Sequence, residues 1–287
     1  MKALTAEPDN AYTNSNYAEF LYEIKKDYIK AEEYYLKALA AEPNNASNNS
    51  NYANFLRDIK KDYTKAEELY LIALTLKPEN GNFNANYAYL LHNKIKDYIK
   101  AEEYYLRALT VEPEDANTNA NYADFLHEIK KDYTKAEEYY LIALIIEPEN
   151  ATTNANYANF LKDFKKDYII VKEHYLKALV IEPNDAYYNC NYAQVLLETG
   201  EIKEAQKYLQ KAFDNGAEND LLIELWFYRY AHFSEFLIEA ENKIEDLLTK
   251  GIRSIGWDFN GNIKQAIKDG HSKPEKLLEF ANRISTE

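Results

Sequence analysis

Pro8, Pro43, Pro78, Pro113, Pro148 and Pro183 stand thirty-five residues apart, each behind a charged residue that closes a helical pattern. A fixed period of this length means one supersecondary unit stacked on copies of itself. Between the prolines the same text returns with few exceptions: Asn-x-Asn-Tyr-Ala-x-Phe-Leu, a charged hinge, Asp-Tyr, and Ala-Glu-x-x-Tyr-x-x-Ala-Leu. Such an array presents a long surface, so binding is a more natural expectation than chemistry.

Residues 44–78 show how one period folds. Asn45 is placed to cap a first helix, whose apolar face is Tyr52, Ala53, Phe55, Leu56 and Ile59. Lys60, Lys61 and Asp62 interrupt the pattern, and Asp62 caps a second helix with Tyr63, Ala66, Tyr70, Ala73 and Leu74 on its core face. Pro78 prevents continuation. The unit is a helical hairpin. Alanines recur where helices cross closely, as at Ala18, Ala53, Ala88, Ala123, Ala158 and Ala193, and a larger side chain there would overpack the contact. Tyrosine fills the wider spaces, and many hydroxyls are expected at helix edges, in water.

Composition narrows the function. The chain of 287 residues is 46% hydrophobic, enough for a continuous core. Its formal charge of −14 argues against a phosphate backbone as partner, so no nucleic acid is expected. The only cysteine, Cys190, excludes a disulfide framework. No apolar run reaches membrane-spanning length; Leu141–Ile146 is stopped by Glu147. With no secretory pattern before the repeats, cytoplasmic residence and no membrane partner are the expectation.

The chain resembles a tetratricopeptide repeat protein, of the bacterial stand-alone type, across about residues 6–213. The resemblance rests on the alanine column above, on Ala31, Ala66, Ala101, Ala136 and Ala205, on Tyr35 and Tyr70, and on the closing proline. It implies an all-α, right-handed α-solenoid of stacked helical hairpins with a C-terminal helical cap. Two departures stand out. The family's turn glycine occurs only as Gly200, and the first five units carry one extra residue there, which is expected to alter the hinge locally without changing the fold. Val171 replaces a small residue in the fifth unit.

The expected organisation is a tail of an incomplete preceding repeat at 1–8, six units over 9–216, a degenerate seventh hairpin at 217–250 and capping helices at 251–287. The missing part of the first helix pair suggests an uncapped face, and end-to-end self-association is one expectation.

The resemblance assigns the inner surface to the first helices. Its most regular row is Asn16, Asn51, Asn86, Asn121, Asn156 and Asn191. Asparagine is unfavourable inside a helix, and a primary amide can pair with a peptide unit as donor and acceptor. A second row, Asn14, Asn49, Asn84, Asn119, Asn154 and Asn189, is expected to face a neighbouring helix. Beside the first row lie Asn54, Tyr89, Asp124, Asn159 and Gln194, and one turn on Arg57, His92, His127, Lys162 and Leu197. These vary between units, as a sequence-reading groove requires. An extended peptide or protein segment, neutral or basic, is the expected ligand. No catalytic or metal-ligand spacing emerges: His92 and His127 are repeat equivalents. No enzymatic activity, metal or cofactor is expected. A regulatory or assembly domain of a larger bacterial signalling or defence effector is the alternative reading.

Overall fold

The computed structural model describes residues 10–286, and every regular element among them is helical. The expected repeat tail at 1–8 lies outside these residues. The chain divides into two compact units, the first ending at Ile146 and the second beginning at Glu147.

The first unit is four hairpins: α1 (Ala11–Phe20) with α2 (Tyr28–Ala41), α3 (Ala46–Phe55) with α4 (Tyr63–Leu76), α5 (Gly81–Leu90) with α6 (Tyr98–Val111), and α7 (Ala116–Phe125) with α8 (Tyr133–Ile146). α2, α4 and α6 each also pack on the first helix of the next hairpin. The cap residues read from sequence do their work: Asn45 Oδ1 accepts from the Asn48 amide at 3.1 Å and Asp62 Oδ1 from the Lys65 amide at 3.1 Å. The alanine columns are fully buried, as close helix crossings require. Tyrosines of the two helices meet edge to face, with centroids 4.8 Å apart for Tyr17–Tyr34 and for Tyr87–Tyr104.

The extra hinge residue has a defined home. Each first helix of this unit ends in a five-residue π turn: Leu21–Lys25, Leu56–Lys60, Leu91–Ile95 and Leu126–Lys130. The Leu21 carbonyl accepts from the amides of both Lys26 and Asp27, and Leu56 and Leu126 repeat the arrangement. The lysine that follows each π turn sits in the left-handed region, with φ of 53° at Lys26, 57° at Lys61, 67° at Lys96 and 54° at Lys131.

The second unit begins with α9 (Ala151–Phe164), α10 (Tyr168–Ile181), α11 (Ala186–Glu198) and α12 (Ile202–Asp214). Val171 is fully buried in α10. At the shorter hinge Gly200 takes the left-handed conformation (φ 83°), and the Leu196 carbonyl still receives an amide, from Glu201 at 2.7 Å. The tail is α13 (Asn219–His232), α14 (Leu237–Thr249), α15 (Asn260–Lys268) and α16 (Pro274–Ser285). α13 and α14 pair as a hairpin, and α13 is buried nearly all round because α12, α15 and α16 also pack on it. The 252–259 loop is tied down from three sides. The Ser254 and Gly256 amides donate to the Ile284 and Ser285 carbonyls, Trp257 Nε1 donates to the Tyr228 hydroxyl at 2.8 Å, and Ser254 Oγ donates to Glu224 Oε1 at 2.5 Å. Burial pushes the Glu224 carboxyl up to about 7.

Candidate peptide-binding face

The two asparagine rows lie two residues apart on the same helices and have different surroundings. The row at Asn49 is buried and bonded. Asn49 Nδ2 donates to the Pro43 carbonyl at 2.9 Å and to the Asn45 carbonyl at 2.8 Å. Asn84, Asn119, Asn154 and Asn189 do the same at their own proline turns. This amide staples each first helix to the turn that precedes it. In the fifth repeat His174 Nδ1 also lies 2.9 Å from Asn154 Oδ1.

The row at Asn51 differs. Asn51, Asn86 and Asn121 in the first unit, and Asn156 and Asn191 in the second, are half-buried; Asn16 is exposed. Among the described residues, Asn51, Asn86, Asn121 and Asn191 have no hydrogen-bond partner within the chain. A half-buried amide without an internal partner keeps both its donor and its acceptor for something else.

The variable positions beside this row are partly spent on the fold. The second-helix tyrosines Tyr70, Tyr140 and Tyr175 are buried, contrary to the expectation of wet hydroxyls, because their hydroxyls reach across the hairpin. They donate to Oδ1 of Asn54, Asp124 and Asn159. Arg57 Nη1 donates to the Tyr70 hydroxyl at 3.0 Å, its Nε and Nη2 donate to Asp58, and the guanidinium lies 5.0 Å from the Tyr89 ring centroid. His92 is only 2% exposed; its Nδ1 is 3.5 Å from the Tyr105 hydroxyl and its Nε2 is 3.7 Å from Glu128. The nearby His92 ring holds the Glu128 carboxyl below its usual range. His127 is half-buried, its ring 6.0 Å from that of Tyr133.

In the second unit the tail covers part of this face. α15 packs on α11, leaving Gln194 1% exposed and Leu197 fully buried. Lys162 Nζ donates to Gln194 Oε1 at 2.9 Å and lies 5.1 Å from the Trp257 ring centroid. Gln194 Nε2 points at the Asp258 carbonyl at 3.4 Å, and Asn262 Nδ2 donates to Glu198 Oε1 at 3.1 Å. A methyl group at Gly261 would fall 2.5 Å from the Glu198 carboxyl carbon, so the glycine permits this approach. Sequence reasoning left out Trp257, Asp258 and Asn262; pairing across sixty-four residues has no local signal. Among the described residues, no group of three histidine, cysteine or acidic side chains is placed to hold a metal, and no helix is long and apolar enough to cross a membrane.

These units define an α-helical hairpin repeat protein of the kind that serves protein–protein interaction, with first helices offering unpaired amides. The tetratricopeptide repeat family pattern matches residues 20–45, 83–115 and 174–207, and the chain is a tetratricopeptide repeat protein. No curated protein matches it by sequence. Among solved structures it is similar to a chain of the APC/C hetero-tetramer Cut9-Hcn1, with a TM-score of 0.69 at 18% identity over 78% of this chain. This chain spans only 44% of that one. A tetratricopeptide repeat protein from Parabacteroides merdae ATCC 43184 matches with a TM-score of 0.58 at 18% identity, covering 94% of this chain and 98% of its own. PilF from Pseudomonas aeruginosa matches with a TM-score of 0.59 at 18% identity, covering 82% and 96%. At these identities the likeness is one of fold.

Proposed function

We propose that the chain is an interaction scaffold whose first-helix face in the first unit binds an extended polypeptide segment. The observation that carries this is the contrast between the two asparagine rows. One row is consumed by the fold; the other holds a helix-unfavourable residue at Asn51, Asn86 and Asn121 with no internal partner. Stacked helices are spaced roughly 8–10 Å apart, close to the length of three extended residues. Successive amides can therefore meet successive peptide units of one extended strand. The neighbouring carboxylates Asp124 and Glu128 favour a neutral or basic segment.

The test is selection of peptides from a displayed library on the whole chain, then measurement of the best binder against the Asn51→Ala/Asn86→Ala/Asn121→Ala variant. Each amide contributes roughly 0.5–1.5 kcal/mol net, so affinity should fall about tenfold to a thousandfold with the helices intact. Equal binding by the parent and the triple variant would remove these asparagines from the mechanism.

A further inference from the structure

The second unit carries a polar cleft of about 900 Å³, between the end of α9, the start of α10, α11 and the tail helix α15. Ligand clefts commonly fall near this size. Four lysines line it: Lys162 near the end of α9, Lys166 in the turn that follows, and Lys264 and Lys268 one turn apart on α15. Opposite charges pair across such a spacing at Lys37–Glu33, Arg107–Glu103, Lys177–Glu173 and Lys250–Asp246. On α15, Lys264 and Lys268 are like charges one turn apart, an arrangement that destabilises a helix, and Lys166 adds a further ammonium group to the same cleft. Among the described residues, Lys166, Lys264 and Lys268 make no ion pair, and Lys162 spends its ammonium on an amide oxygen. The helix dipole accounts for Lys268 in the last turn of α15, not for Lys264 before it.

The cleft also holds Asp163, Glu198 and Asp258. Glu198 is half-buried and bound by the Tyr168 hydroxyl and Asn262, and burial pushes its carboxyl up. Asp258 Oδ1 accepts from the Asn260 amide at 2.8 Å, and with Asp163 the cleft sets three carboxylates against four ammonium groups, an excess of positive charge.

We propose that this cleft binds an acidic polypeptide segment, with carboxylates seated between Lys166 on one wall and Lys264 and Lys268 on the other. Tyr168 lines the cleft and the Trp257 ring lies against Lys162, offering apolar contacts for its side chains. The site is independent of the asparagine row in the first unit and has the opposite charge preference. The tail thus builds a second recognition surface on a protein that is acidic overall.

A fluorescein-labelled hexaglutamate peptide titrated with the whole chain tests this by anisotropy, at low and at physiological ionic strength. Lys264→Gln/Lys268→Gln keeps helix propensity and should weaken binding about tenfold, whereas Lys61→Gln/Lys131→Gln, far from the cleft in sequence and in the other unit, should leave it unchanged. Trp257 reports the location: in a Trp226→Phe background the peptide should shift its emission. The proposal is overturned by absence of binding at millimolar peptide, by preference for hexalysine, by equal weakening in both lysine pairs, or by binding that leaves Trp257 unmoved. Saturation by inorganic phosphate with hexaglutamate silent would likewise overturn it in favour of a small-anion site. Matching circular dichroism of all variants establishes that the fold is retained.

Discussion

Asparagines at two positions on one helix should respond to alanine with opposite signs. Asn49, Asn84 and Asn119 each donate two hydrogen bonds to backbone carbonyls at 2.8–2.9 Å. At roughly 0.5–1.5 kcal/mol per net bond, each amide contributes about 1–3 kcal/mol. Alanine returns about 0.5–0.7 kcal/mol through its higher helix propensity. The net loss is about 0.3–2.5 kcal/mol per site, and the sites are a full repeat apart, so the triple variant should approach their sum. Asn51, Asn86 and Asn121 have no internal bond to lose, so alanine there should stabilise by about 0.5 kcal/mol per site. Urea unfolding followed by circular dichroism resolves the two, read as midpoint shifts because repeat arrays need not unfold in one step. Both triple variants shifting the same way would refute the division into a structural row and a binding row.

Three further outcomes are expected. Tyr70→Phe should destabilise by about 1–3 kcal/mol, since it strands Asn54 and Arg57, while Tyr105→Phe, whose hydroxyl reaches only His92 at 3.5 Å, should cost under about 1 kcal/mol; equal losses in urea would contradict this. Lys61→Gly and Lys131→Gly should each raise the unfolding midpoint, by up to about 1 kcal/mol, because a left-handed lysine is strained by roughly 1–2 kcal/mol and glycine gives back part of that in unfolded-chain entropy; a lowered midpoint would count against the strain. Glu224 holds its proton more tightly folded, at about 7 against 4.5, so its ionisation opposes folding as pH rises from about 4.5 through 7. Over that window it should remove roughly 3 kcal/mol, and Glu224→Gln should flatten the profile; an unchanged pH–stability curve would show the carboxyl ionises as freely folded as unfolded.

The hairpins were legible because two helical periodicities and two cap residues recur in phase, and a mistake in one copy is corrected by five others. In the tail, α15 and α16 begin at Asn260 and Pro274, within the stretch where turn residues separate short helical patterns. The asparagine rows could be separated by helical phase, but what Asn49 bonds to could not, since the Pro43 carbonyl enters through backbone geometry. The π turns left only a one-residue surplus as a trace, because pairing five residues apart has no compositional mark. Arg57 and His92 looked like exposed variable positions. Their burial depends on Tyr70, Tyr105 and Phe125 in adjacent helices, the His92 ring lying 5.2 Å from that of Phe125. Coverage of Gln194 and Leu197 by α15 follows from where the tail returns.

The π turn makes the hinge a shim. Whether a repeat carries thirty-five residues with a left-handed lysine or thirty-four with Gly200, the same leucine carbonyl, Leu56 or Leu196, takes the closing amide. The surplus residue is absorbed before the second helix starts, so the alanine contacts keep their places. Repeats of both lengths are therefore interchangeable parts. A gene duplicating, deleting or shuffling them would change the number of rungs presented to a partner without misaligning those that remain.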